Sequence, residues 1–282
     1  MTKKIAWITD TAAQLDESFI QKHNVHILPL SVVFDEGAFK EGVDLTQDAF
    51  YKKLNIAKNP PKTSQPAIGE MVALYESLQQ QGYDCAIALH VSSGMSGTFG
   101  SSQSAAQMVD FKVYPIDSKI GSYPMIKMIE AGNELITQGH DVEEVVTVIN
   151  KMTKNTELAF IPVNLKQLHK SGRVSGTQAF LSNLLNIKII ITFEDGKPVM
   201  KEKVRAYKRA RKNITDLLRS DMAKGNIPEI AVIHCNNTTD ASSWRDELVQ
   251  EFPNLKIQVL PLSVCVGVHA GEGTTGLSWV RY

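Results

Sequence analysis

Cysteine is scarce in this sequence: three among 282 residues, at Cys85, Cys235 and Cys265. They are odd in number, far apart and form no Cys-x-x-Cys pair, which fits reduced, buried thiols rather than a disulfide framework. Net charge is lacking too. Thirty Lys and Arg balance thirty Asp and Glu, whereas a general nucleic-acid binder carries a basic excess. Long apolar runs are absent. No stretch approaches the roughly 18 apolar residues of a membrane span. The opening MTKKIAWITD offers only Ile5-Ala-Trp-Ile8 after its lysines, short of a signal-peptide core. The expectation is a soluble, cytoplasmic chain. Short repeats and low-complexity tracts are missing. So is the Gly-x4-Gly-Lys-Ser/Thr loop of a P-loop kinase.

What is present is globular. Hydrophobic residues make up 43%, and a chain this long buries roughly three quarters of its unfolded surface, so no metal or disulfide staple is required. Apolar runs at Ile5–Ile8, Val25–Phe34, Cys85–Leu89, Phe111–Ile116, Leu158–Val163, Ile187–Phe193, Ile230–His234 and Lys256–Leu260 read as strands. Helical spacing occupies Ile68–Gln80, Ala105–Val109, Met125–Ile136, Val142–Met152, Ile214–Met222 and Trp244–Phe252. Strands alternating with helices predict an α/β fold. The alternation pauses at the polar, Gly-containing segment that starts at Asn164 and then restarts. Two α/β lobes are therefore expected, residues 1–164 and 165–282, with a cleft between them.

Several loops have the chemistry to line such a cleft. Val91-Ser-Ser-Gly-Met-Ser-Gly-Thr98 follows a strand and precedes a helix, an arrangement that aims backbone N–H groups and hydroxyls at an anion; a capped turn without ligand explains it equally well. It is not a Gly-x-Ser-x-Gly nucleophile elbow, because Thr98 stands where the second Gly is needed. In Lys62-Thr-Ser-Gln-Pro66, Ser64 reads as a helix cap, and Thr63 gains interest only if it faces the Ser96 loop. Arg173, in Lys170-Ser-Gly-Arg173, has the donor fork that suits a carboxylate or phosphate. Gly267-Val-His-Ala-Gly-Glu-Gly-Thr-Thr-Gly276 contains a literal Gly-x-Gly-x-x-Gly, but six following residues leave no room for a dinucleotide-binding unit. It reads as a tight loop presenting His269. Asp10 and Asp117, after their strands, are crevice acids or caps.

Together and in this order, these segments resemble the DegV family of bacterial proteins, over essentially the whole chain. The matching residues are Thr9-Asp-Thr-Ala-Ala13, Thr63-Ser-Gln-Pro66, Ser92-Ser-Gly-Met-Ser-Gly-Thr98, Asp117-Ser118, Ser171-Gly-Arg173 and His269-Ala-Gly-Glu-Gly273. The resemblance implies two α/β lobes holding one long-chain fatty acid, with the carboxylate in a polar interlobe site and the tail in an apolar tunnel. It implies a carrier without catalysis of its own, which presents the acid to a separate ATP-using kinase subunit that makes acyl-phosphate for phospholipid synthesis. Carried over residue by residue, Thr63, Ser96, the Gly97 N–H, Arg173 and His269 would hold the carboxylate, and Arg205 would meet the kinase. No cofactor or metal is implied, and transient contact with a membrane surface is compatible with it. Phe160, Phe180, Leu181, Leu184 and Leu185 are tunnel candidates, and ordinary core packing explains them equally well. The chain departs from the family pattern at Ala12-Ala13-Gln14, where a second acid is common, and at Glu272, where Pro is common. A competing reading is a small-molecule hydrolase or kinase using Ser96 and His269.

Zero net charge conceals an uneven distribution. Residues 1–164 carry 13 basic and 19 acidic side chains, while residues 196–212 carry eight Lys or Arg and one Glu. That 17-residue segment reads as a docking face for something anionic.

Overall fold

A computed structural model describes residues 3–163, 168, 169, 172–174 and 187–282. Phe180, Leu181, Leu184, Leu185 and the junction at 164–165 lie outside the described residues. The chain forms an α/β fold around three sheets.

The first sheet is parallel and four-stranded, in the order β2-β1-β6-β7, from Val25–Leu28, Ile5–Asp10, Cys85–His90 and Val113–Asp117. Its central strands are buried on both faces, as a parallel sheet requires. Alternation divides the two faces. Ala6, Ile8, Ala86 and Ala88 pack against Met71, Tyr75 and Leu78 of α3 (Ile68–Gln80) and Ala105 of α4 (Thr98–Ala106). Trp7, Ile87 and Leu89 pack against α5 (Tyr123–Thr137) and α6 (Val142–Met152). Gly132 admits the Trp7 ring, since a Cβ there would stand 2.4 Å from it, and the indole then donates to Asn133 Oδ1 at 3.0 Å.

The second sheet is mixed and six-stranded, in the order β10-β9-β8-β13-β11-β12. Its strands are β8 (Thr156–Ile161), β9 (Lys188–Glu194), β10 (Lys197–Val204), β11 (Glu229–His234), β12 (Lys256–Pro261) and β13 (Thr275–Val280). β8 precedes residue 164 in the chain, yet in space it is paired with β13 and β9. One face, including Ile161, Ile230, Val232, Leu277 and Trp279, is covered by α7 (Tyr207–Met222) and α8 (Thr238–Glu251). The other face presents Leu158, Phe160, Ile191, Ala231 and Ile233 to the core formed by α5 and the first sheet. One apolar core thus runs from the first sheet to the second.

A small antiparallel sheet, β4-β3-β5, comprises Gly37–Lys40, Ser31–Phe34 and Lys62–Ser64. The single run expected over Val25–Phe34 is two strands, because Pro29 has no N–H to extend a ladder; β2 joins the parallel sheet and β3 the small one. The first two helices, α1 (Glu17–His23) and α2 (Gln47–Ile56), have Asp16 and Thr46 as side-chain caps. α9 (Val264–Ala270) packs against β3 and β5. The tight loop expected over 267–276 is therefore helix up to Ala270 and strand from Thr275, which leaves only 271–274 as loop. Gly267 is helical, placed where a Cβ would press on the Tyr51 hydroxyl at 2.8 Å.

The basic segment 196–212 is also regular structure. Asp195 and Gly196, at φ 45° and 79°, make the two-residue Asp-Gly turn of the β9–β10 hairpin. Its lysines then lie on β10, the last strand in the sheet order, where charge discourages edge-to-edge pairing. The remainder begins α7. No helix among the described residues is long and apolar enough to cross a membrane.

Candidate functional site

A cavity of about 300 Å³ is lined by residues from both the first and the second half of the chain. Its body is apolar, with walls from Ala12, Leu30, Val91, Met95, Leu158, Phe160, Phe193, Leu262, Val266 and Ala270. Hydroxyl, amide, imidazole and guanidinium groups enter from Thr63, Ser96, Gly97, Gln65, Ser122, Arg173 and His269.

The polar residues form a contiguous group. β5 presents Thr63, whose Oγ1 lies 2.9 Å from His269 Nε2 across 206 residues of sequence. His269 is at the last turn of α9. Its Nδ1 is buried and has no hydrogen-bond partner among the described residues. Burial, and secondarily the charge of Arg173, push its pKa down to about 4, so the ring is neutral at physiological pH. Arg173 is exposed and donates from Nε to the Met95 carbonyl at 3.5 Å, a long contact that sets it beside Ser96.

Ser96 and Gly97 lead into α4. Ser96 Oγ is 2.8 Å from Thr98 Oγ1 and accepts from the Thr98 N–H at 3.3 Å. Gly97 is the N-cap of α4, which has no side-chain cap. The Gly97 N–H has no acceptor among the described residues. A Cβ at Gly97 would stand 2.1 Å from Gln65 Oε1, the far end of a flexible side chain that follows β5. Gln65 in turn donates to Ser101 Oγ at 2.6 Å.

Anchors outside the cavity hold these loops. Asp10 is a structural cap: it accepts from Ala12 N at 3.1 Å and from Val91 N at 2.9 Å, with buried His90 Nδ1 at 3.2 Å. It ties the ends of β1 and β6 to the start of the Ser96 loop. Asp117 likewise accepts from Ser93 N and Lys119 N. The β9–β10 turn docks on this loop, with Ser92 Oγ donating to the Gly196 carbonyl at 2.6 Å. Glu272 turns to Asn236, whose Nδ2 donates to it at 2.6 Å.

Ser64 does not cap α3. It ends β5, its hydroxyl donates to the Gln65 carbonyl at 3.2 Å, and α3 starts without a side-chain cap. Arg205 is exposed just past β10 and is not part of the cavity wall. Ser96 and His269, the pair the hydrolase reading needs, bond to Thr98 and Thr63 instead of to each other. A nucleophile and its base would share a hydrogen bond.

Two contributors are silent in the sequence. Ser122 lines the cavity at φ 61°; Gly121-Ser122 directly before Tyr-Pro is a turn signal, but nothing in it points to a cavity. Glu41 is buried, yet it reads as an ordinary acid between Lys40 and Gly42. It accepts from Thr11 Oγ1 at 2.9 Å, Ser263 Oγ at 2.6 Å and Val264 N at 2.7 Å. It thereby fastens the first lobe to the N-terminus of α9, the helix that carries His269.

Residues 4–282 match the family model described as uncharacterised protein, DegV family. The chain belongs to the DegV family. Among DegV relatives, Protein DegV of Bacillus subtilis is 37% identical over 277 residues, covering 98% of each chain. A crystal structure of DegV, described as a fatty acid binding protein from Bacillus subtilis, superposes with a TM-score of 0.90 at 36% identity, covering 99% of this chain and 100% of that one. A fatty acid binding DegV family protein from Streptococcus agalactiae gives a TM-score of 0.92 at 29% identity, covering 99% of each. In this DegV chain, the family-like segments at 63–66, 92–98, 173 and 269–273 supply the polar side of the cavity or its immediate support.

Proposed function

We propose that this protein binds one long-chain fatty acid, its carboxylate among Thr63, Ser96, the Gly97 N–H, Arg173 and His269 and its tail along the apolar wall. The observation that carries this reading is a cavity whose body is apolar and whose donors form one contiguous group. Relatives described as fatty acid binding proteins support it. The energetics are suitable. At about 0.8 kcal/mol per buried CH₂, ~14 methylenes supply roughly 11 kcal/mol, of which tail ordering and lost translation return several. A carboxylate buried without donors would be costly; two hydroxyls, an N–H, an Arg and a His meet that requirement. Lobes 1–164 and 165–282 act as the two halves of the cleft, with β8 contributing Leu158 and Phe160 to its floor.

Calorimetric titration of delipidated protein with palmitate or oleate tests the reading. Wild type binds with a Kd in the micromolar range or tighter. Ser96→Ala and Thr63→Ala each weaken binding by roughly tenfold, the worth of one hydrogen bond to a charged group. Wild-type protein that shows no uptake of either acid overturns it.

The bound acid is then presented to a separate ATP-using kinase subunit. Attack on a phosphoryl group requires positioning and charge neutralisation. Exposed Arg205 and its basic neighbours would supply these in the encounter, and the same face suits brief contact with an anionic membrane surface. Arg205→Ala is expected to leave fatty-acid affinity within twofold of wild type while lowering acyl-phosphate formation at least tenfold in a coupled assay with the kinase, the scale of one charge-assisted contact. Equal losses in both assays would show that Arg205 belongs to the lipid site.

A further inference from the structure

A second cavity, of about 770 Å³, lies against the first. Thr63, Arg173 and His269 line both. The hydrogen-bonded Thr63–His269 pair and Arg173 are thus part of the boundary between an apolar chamber and a more polar one, which is also walled by Val33, Phe34 and Val268. The outer chamber adds Asp35, Asn59 and Lys62, none of which lines the first. Asn59 Nδ2 donates to Asp35 Oδ2 at 3.0 Å, which engages that carboxylate. Lys62 adjoins Thr63 on β5 and has no ion-pair partner among the described residues. Among the described residues of its lining, Lys62 and Arg173 are cationic and Asp35 is acidic.

We propose that this outer chamber is a phosphoryl-binding subsite, in which Lys62 holds the phosphoryl group as the bound acid becomes acyl-phosphate. The inference rests on the reading above, both that a fatty acid is bound and that it is presented for phosphorylation. With the tail in the apolar chamber and the carboxylate at the boundary, the phosphorus must arrive from the other side. A carboxylate oxygen attacks the terminal phosphorus of a nucleoside triphosphate, the phosphoanhydride bond breaks, and the diphosphate leaves with the electron pair. No proton has to be removed, so neutral His269 serves as a fixed hydrogen-bonding group rather than a base. The product bears a phosphoryl dianion where the substrate bore a carboxylate. Lys62 on the outer side binds that added charge more strongly than it binds the fatty acid.

The test needs no kinase. The probe is 2-oxoheptadecyl phosphonate, a methylene analogue of palmitoyl phosphate, titrated beside palmitate into wild type and Lys62→Ala. Lys62→Ala is expected to weaken phosphonate binding about tenfold, as loss of a hydrogen bond to a charged group does, with palmitate affinity within twofold of wild type. Asp35→Asn, which removes the opposing charge, is expected to tighten the phosphonate and leave palmitate alone. Equal weakening of both ligands in Lys62→Ala, or no weakening of either, overturns the subsite while wild-type palmitate binding leaves the fatty-acid reading standing. Wild type that binds neither ligand overturns both.

Discussion

Glu41→Ala is expected to lower folding stability by about 2–4 kcal/mol, read from denaturant unfolding, and to weaken fatty-acid binding although Glu41 does not line the cavity. The Glu41 carboxylate is buried among three donors, the Thr11 and Ser263 hydroxyls and the Val264 N–H. Burial pushes its pKa up, and the donors oppose that shift. With the carboxylate gone, the hydroxyls can turn to other acceptors, whereas the Val264 N–H is fixed by the helix. Each buried donor left unpaired costs about 1–3 kcal/mol, partly offset because a carboxylate no longer has to be desolvated. The released element is the N-terminus of α9, so His269 loses its registration against Thr63. Glu41→Gln keeps one carbonyl oxygen for Val264 N and an amide that either hydroxyl can accept from, so it should retain most of the stability and affinity. If Glu41→Ala were as stable as wild type, the fastening of the first lobe to α9 would carry no energetic weight.

The second large effect is pH-dependent. His269 has a folded-state pKa of about 4 against an ordinary 6.5. As pH falls through 6.5 the unfolded chain takes up a proton that the folded chain refuses until near 4. Between those values the unfolded state binds more protons, so stability declines on acidification. The contribution is fully present above about 6.5 and is lost on reaching the folded pKa; two to three units correspond to about 3 kcal/mol. Ligand-free wild type should lose that much more stability between pH 7 and pH 4 than His269→Gln, with both measured by chemical denaturation. A bound carboxylate beside the ring favours its protonated form. Fatty acid should therefore shrink the acid loss, and its binding near pH 5 should take up protons, visible as a dependence of calorimetric heat on buffer ionisation. Parallel pH profiles for wild type and His269→Gln would mean that the ring is not held neutral by its surroundings.

Much of the fold was legible because its signals are local. The run Val142–Met152 is α6 with the same bounds, opened by a capping box in which Asp141 and Glu144 satisfy each other's backbone N–H groups. The parallel strands β1 and β6 read as short apolar runs for the reason that both their faces are covered. Elements whose pattern is masked by another role were harder to read. β10 carries lysines on a sheet edge and reads as a charge run. α9 is short and contains Gly267, which its packing against Tyr51 demands. β8 is adjacent in sequence to the first lobe but gains its partners from β9 and β13, a pairing that no local pattern encodes. At the site, residue types and order marked the Ser96 loop, Thr63 and His269. The contact between Thr63 and His269 spans 206 positions, and only folding brings it about. Glu41 carries no local signature, because its role depends on what α9 places over it.

Organic extraction of protein purified from a bacterial host, followed by mass spectrometry, decides whether the cavity holds a fatty acid. Close to one long-chain acyl group per protein molecule is expected, lost or sharply reduced in a Thr63→Ala, Ser96→Ala double variant that remains folded. Protein that emerges free of acyl chains, and stays free after incubation with oleate or palmitate, would contradict it.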